Sequence, residues 1–120
     1  MNFELPGTFC HLARVQLLSG QDESAAESVE NAWQYRDNAK KYVVPRIIFF
    51  KILFSMIRNE DPASWIKMMK EKLMDPGVCM EWYIEPLLES RKTVLEVEDF
   101  QFLLSLANAM QSLSNISELD

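Results

Sequence analysis

Apolar residues recur along this chain at three- and four-residue intervals, the spacing of helix faces, and polar interruptions divide it into six predicted helices. The first covers about 8–19 after a 1–7 lead-in punctuated by Pro6-Gly7, with Phe9, Leu12 and Ala13 on one face. Gly20 then provides the left-handed residue that ends a helix at little cost. The second helix runs from about 23 to 39 with Ala25, Val29, Ala32 and Trp33 inward. Ser24 and Glu27 fit a capping box, with Asp22 as a rival cap. Glu23, Glu27 and Glu30 near its start and Arg36, Lys40 and Lys41 near its end complement the helix dipole.

The third predicted helix follows Pro45, a residue suited to a first helical turn. Ile47, Ile48, Phe49, Phe50, Ile52, Leu53, Phe54, Met56 and Ile57 cover nearly its whole circumference, leaving Lys51, Ser55 and Arg58 as a narrow polar stripe. A helix apolar on almost every side belongs at the centre of a helical stack. Asp61 and Pro62 mark the start of the fourth helix, about 62–74, with Asp61 as cap and Pro62 at the first helical position. Trp65, Met69 and Leu73 form its inner stripe, and Asp75-Pro76-Gly77 stops it. A fifth helix over about 77–93 carries Trp82, Tyr83, Leu87 and Leu88, with a kink expected at Pro86. The sixth covers about 97–113, with Phe100, Leu103, Leu104, Ala107, Met110 and Leu113 on one face, before a frayed polar tail at 114–120.

Short connections between successive helices predict antiparallel hairpins, three in all, forming a single all-α domain over 1–120. Gly20 and Asn59 fall at equivalent turns, 39 positions apart. The first hairpin resembles a tetratricopeptide-repeat unit at Leu12, Ala13, Gly20, Ala25, Val29 and Ala32, with Phe9 at the early aromatic position. It departs from that pattern at Gln16, where the family carries tyrosine, and at Asp37, where it carries proline. In the second hairpin Ser64, Met68 and Glu71 stand at the counterparts of Ala25, Val29 and Ala32, and the 39-residue spacing exceeds the family's period of about 34. The resemblance implies a TPR-like α-solenoid that binds a protein or peptide partner and performs no catalysis. In such stacks the first helix of each hairpin lines the groove, which nominates Arg14, Gln16, Lys51, Ser55 and Arg58. Three of the five are basic, so the implied ligand is an acidic or C-terminal peptide.

Charge and composition narrow the classes. The chain carries a net charge of −6, against general binding to a phosphate backbone. Residues 31–75 hold nine Lys/Arg against five Asp/Glu (+4), between a −4 segment at 1–30 and a −6 segment at 76–120. Hydrophobic residues make up 48% and charged residues 25%, the balance of a folded globular domain and not of a disordered one. The apolar run 43–57 carries Arg46 and Lys51 and falls short of the roughly 20 residues a membrane span needs, so it reads as a buried helix. No signal peptide is read at MNFELPGTF, and Cys10 and Cys79 make no disulfide framework, which together suggest a cytoplasmic protein.

Candidate chemistry is sparse. His11 is the sole histidine, and its neighbour Cys10 points about 100° away on a helix, a poor catalytic pair. Glu81, Glu85 and Glu89 align at four-residue intervals but lack the histidine that helical carboxylate metal sites use. Lys67, Lys70 and Lys72 lie near Trp65, whose place on an inward stripe makes it core and not a platform for bases. No phosphate-binding glycine loop, EF-hand or zinc spacing is present, so no cofactor or metal is expected. Apolar residues beyond the inner face of the first helix, Cys10, Val15, Leu17 and Leu18, suggest a homodimer or a piece of a longer array. The alternative to a free binding module is a structural or regulatory helical segment of a larger multidomain signalling or transcription-regulatory protein.

Overall fold

The first helix starts earlier than the Pro6-Gly7 punctuation implies. In the computed structural model, which describes residues 5–39, 43–74 and 84–119 (side chains as far as Met110, Asn38 apart), α1 spans Leu5–Leu18. Pro6 is its second residue, where a missing N–H forfeits no intrahelical bond. The inward face of α1 is Pro6, Cys10, Ala13 and Leu17, while Leu12 is 41% exposed. Apolar residues surround this helix, so periodicity left the choice of face open; packing against α2, α3 and α5 makes it.

Helix α2 spans Asp22–Gln34, and Ala25, Val29 and Ala32 are fully buried along it, as their spacing predicts. The capping box does not form. Gln21 is the cap residue without a side-chain bond, Ser24 is already the third helical residue, and Asp22 engages Arg91 instead. The helix also ends five residues before 39 and passes into a 3-10 turn at Arg36–Asn38. Arg36 accounts for that ending: its guanidinium donates to the Trp33 carbonyl at 2.8 Å and lies 4.0 Å from the centre of the Trp33 ring. Lys40 and Lys41 lie outside the described residues.

The turns after α1 and α3 share one geometry. Gly20 has φ +80°, the Gln21 N–H bonds the Gln16 carbonyl at 2.8 Å, and the Gly20 N–H bonds the Leu17 carbonyl at 3.1 Å. Thirty-nine residues on, Asn59 has φ +58°, with Glu60 to Ser55 at 2.8 Å and Asn59 to Met56 at 3.2 Å. Both are Schellman endings, in which two orphaned carbonyls of the last turn find donors.

Helix α3 (Val43–Ile57) is the interior of the molecule: Ile47, Ile48, Phe49, Phe50, Ile52 and Leu53 have no exposed surface. Helix α4 (Ala63–Leu73) starts where Asp61 accepts the Ala63 N–H on Oδ1 at 3.0 Å, with Pro62 one position earlier than expected, at the cap itself. Met69 is buried, and Trp65 and Leu73 are half-buried on the same stripe. Helix α5 is only Glu85–Ser90, so Pro86 is its second residue and introduces no kink; an N-terminal position tolerates proline where an interior one does not. The earlier part of the expected fifth helix, with Cys79, Glu81, Trp82 and Tyr83, and the Asp75-Pro76-Gly77 stop lie outside the described residues. After a 3-10 turn at Lys92–Val94, α6 runs Val97–Leu119, past the expected end at 113.

All regular elements among the described residues are helical, and they pair as α1/α2, α3/α4 and α5/α6. The first two pairs join through α2 and α3, and α1 also meets α3. The third pair returns to the first: α5 packs on α1, and Arg91, just after α5, donates to the Leu17 carbonyl and to Asp22. One core draws residues from all six helices. The radius of gyration, 13.7 Å, is close to the roughly 13.6 Å of a compact 120-residue globule.

Candidate functional site

Two helix faces of equal periodicity meet across the joint between the first two hairpins. On α2, Glu23, Glu27 and Glu30 recur at i, i+4 and i+7; Lys51 and Ser55 on α3 and Arg58 just after its end have the same spacing. Because α2 packs on α3, these stripes form the opposing walls of a cleft of about 420 Å³. Its apolar surface comes from Ala26, Val29, Phe54 and Trp65, and Glu60 from the turn after α3 completes the rim.

Trp65 is half-buried and has two close neighbours while still lining the cleft. Its ring meets Trp33 edge-on at 5.1 Å, and the Lys51 ammonium lies 5.3 Å from its centre. Lys51 also forms an ion pair with Glu30. Burial, and secondarily the positive Arg58 guanidinium, hold the Lys51 amine below its ordinary range. The Glu30 pairing does not offset this because that carboxylate is more than half exposed and screened by water. Ser55 is buried and its hydroxyl donates to the Lys51 carbonyl at 2.9 Å, one turn back in its own helix. Arg58 is exposed, its guanidinium 5.7 Å from the Phe54 ring centre. Four carboxylates face two cations, so the cleft lining carries a formal charge of −2.

Three of the five nominated groove residues, Lys51, Ser55 and Arg58, thus line one cleft. Arg14 and Gln16 do not join them. Gln16 accepts the Ser28 hydroxyl on Oε1 at 2.7 Å and ties α1 to α2, and Arg14 is half-buried elsewhere on α1. The acidic wall was hidden in the sequence behind a different reading, since glutamates early in a helix equally well serve its dipole. Their i, i+4, i+7 spacing was the available signal; that they face α3 is a product of packing.

The other candidate chemistry disperses. Cys10 is buried, and burial pushes its thiol up to about 12, with the Arg46 guanidinium opposing weakly; a thiol so placed is an inert core group. His11 beside it is exposed. Glu85 and Glu89 lie on α5, Glu81 is outside the described residues, and among the described residues no three potential ligands gather to hold a metal ion. No helix among the described residues is long and apolar enough to cross a membrane. A second cavity, also about 420 Å³, is lined by Trp33, Arg36, Val44, Met68 and Lys72 among others. No family model, curated protein or solved structure matches this chain.

Proposed function

We propose that the chain is a protein–protein interaction module, a TPR-like scaffold of stacked helical hairpins that binds a peptide or partner domain without catalysis, in the cytoplasm. The observation that carries this reading is the cleft between α2 and α3, where an apolar floor is framed by charged side chains on rigid helices. Binding sites of this kind are concave, apolar at the base and edged by a few polar groups that orient the ligand. The repeated Schellman turns at Gly20 and Asn59 support a hairpin repeat, and the α2–α3 joint is where two such repeats stack.

The test is selection of a random 12-residue peptide library on the purified chain, followed by titration of the recovered peptides. Ala26→Trp fills the cleft while sparing the buried stripe Ala25, Val29 and Ala32. Recovered peptides are expected to bind at least about tenfold more weakly to this variant, a loss of about 1.4 kcal/mol. Recovery of no peptide, or equal binding to the variant with its melting curve unchanged, would remove the module reading.

A second reading, a helical segment docked inside a larger regulatory protein or a homodimer, has its own observation. Leu12, Val15 and Leu18 form a stripe along α1 and are 41%, 47% and 48% exposed. Light scattering that finds a stable monomer, with a cooperative melt, would count against it.

A further inference from the structure

We propose that the α2–α3 cleft receives a basic segment of its protein partner, with a lysine or arginine side chain seated against Trp65 between the carboxylates of α2. This rests on the interaction-module reading and reverses the sign of the acidic ligand implied by the basic stripe alone. That stripe is half of the site. Tertiary packing sets Lys51 and Arg58 opposite Glu23, Glu27 and Glu30, with Glu60 beside them, and the excess is negative.

Two features make a cation the fitting occupant. The cleft already accommodates one: the Lys51 ammonium rests between Glu30 and the face of Trp65, the pairing of carboxylate and aromatic ring that favours ammonium and guanidinium groups. And Glu23, Glu27 and Glu60 make no ion pair among the described residues, so three carboxylates at the rim remain to complement incoming positive charge. Ala26, Val29, Phe54 and Trp65 supply the surface against which the aliphatic stem of such a side chain lies. The whole-chain charge of −6 draws a basic partner toward the site and repels a phosphate backbone.

The experiment uses the full chain and the same displayed library of random 12-residue peptides. Peptides sensitive to Ala26→Trp are expected to be enriched in Lys and Arg, and to bind about tenfold more weakly to the charge-reversed variant E23K/E27K. Both positions are exposed, so the fold is retained, which the melting curve checks. Replacing the selected peptide's basic residue by norleucine should weaken binding to the native chain and leave binding to E23K/E27K little changed. Ala26→Trp-sensitive peptides that are neutral or acidic, or that bind E23K/E27K as tightly as the native chain, would overturn the basic-ligand proposal while the module reading stands. Absence of any Ala26→Trp-sensitive peptide would overturn both.

Discussion

Gly20 and Asn59 do the same work with different side chains. Each holds a positive φ at the end of a helix, and each is followed by a residue whose N–H closes a six-residue ring onto the helix. A Cβ at Gly20 would meet nothing within 4 Å, so Gly20→Ala tests backbone strain alone. The left-handed conformation costs an ordinary L-residue about 1–2 kcal/mol, and asparagine tolerates it through local hydrogen bonding. Gly20→Ala and Asn59→Ala are therefore both expected to lower stability by about 1–2 kcal/mol, read as a fall in the urea midpoint at constant slope. An Asn59→Ala chain as stable as its parent would contradict the equivalence of the two turns. Their positions were legible in the sequence, because glycine or asparagine after an apolar stripe is a local signal. The failed capping box at Ser24 and Glu27 was not. Its residues are right in type, but the helix starts at Asp22, whose carboxylate is drawn to an arginine 69 positions away.

At the scale of elements, α1 and α2 approach closely because the residues between them are small. Ala13, Ala25 and Ala32 have no exposed surface, whereas Ala26, one position on, faces the cleft and is only partly buried. Ala25→Leu is expected to cost about 1–3 kcal/mol by overpacking. Ala26→Leu should stay within about 0.5 kcal/mol of the parent, as substitutions away from packed interiors do. Thermal melts of the pair give the contrast directly; equal losses would mean that the two faces of α2 are not distinguished as described. The inner stripe of α2 was readable because polar residues occupy its other faces. That of α1 was not, since Leu12, Val15 and Leu18 are as apolar as Cys10, Ala13 and Leu17, and nothing local separates the covered set from the exposed one.

At the scale of the molecule, the contact that departs most from a simple row of hairpins is Arg91. Its side chain is 14% exposed, and it bridges the end of α1, through the Leu17 carbonyl, to the first turn of α2, through Asp22. In an open solenoid each repeat meets only its neighbours; here the third hairpin reaches back to the first. Arg91→Ala removes donors from a neutral carbonyl and a charged carboxylate at once, with an expected cost of about 2–3 kcal/mol given the ion pair with Asp22 and its partial exposure. The loss should concentrate in the third hairpin. Hydrogen exchange is expected to accelerate across α5 and α6 while α1–α4 keep their protection. Uniform acceleration through all six helices would instead show that the three hairpins unfold as one unit.

The sequence by itself determined the all-helical class, the turns at Gly20 and Asn59, the burial of α3 and the inner stripe of α2. These depend on spacing, side-chain volume and turn chemistry, which act over a few residues. Tertiary structure alone decided which side of α1 is covered, that the third hairpin lies against the first, and that the stripe of Lys51, Ser55 and Arg58 faces a row of glutamates. Those outcomes turn on helices distant in sequence sharing one core, where the charge of a site is the sum over walls that no local window contains.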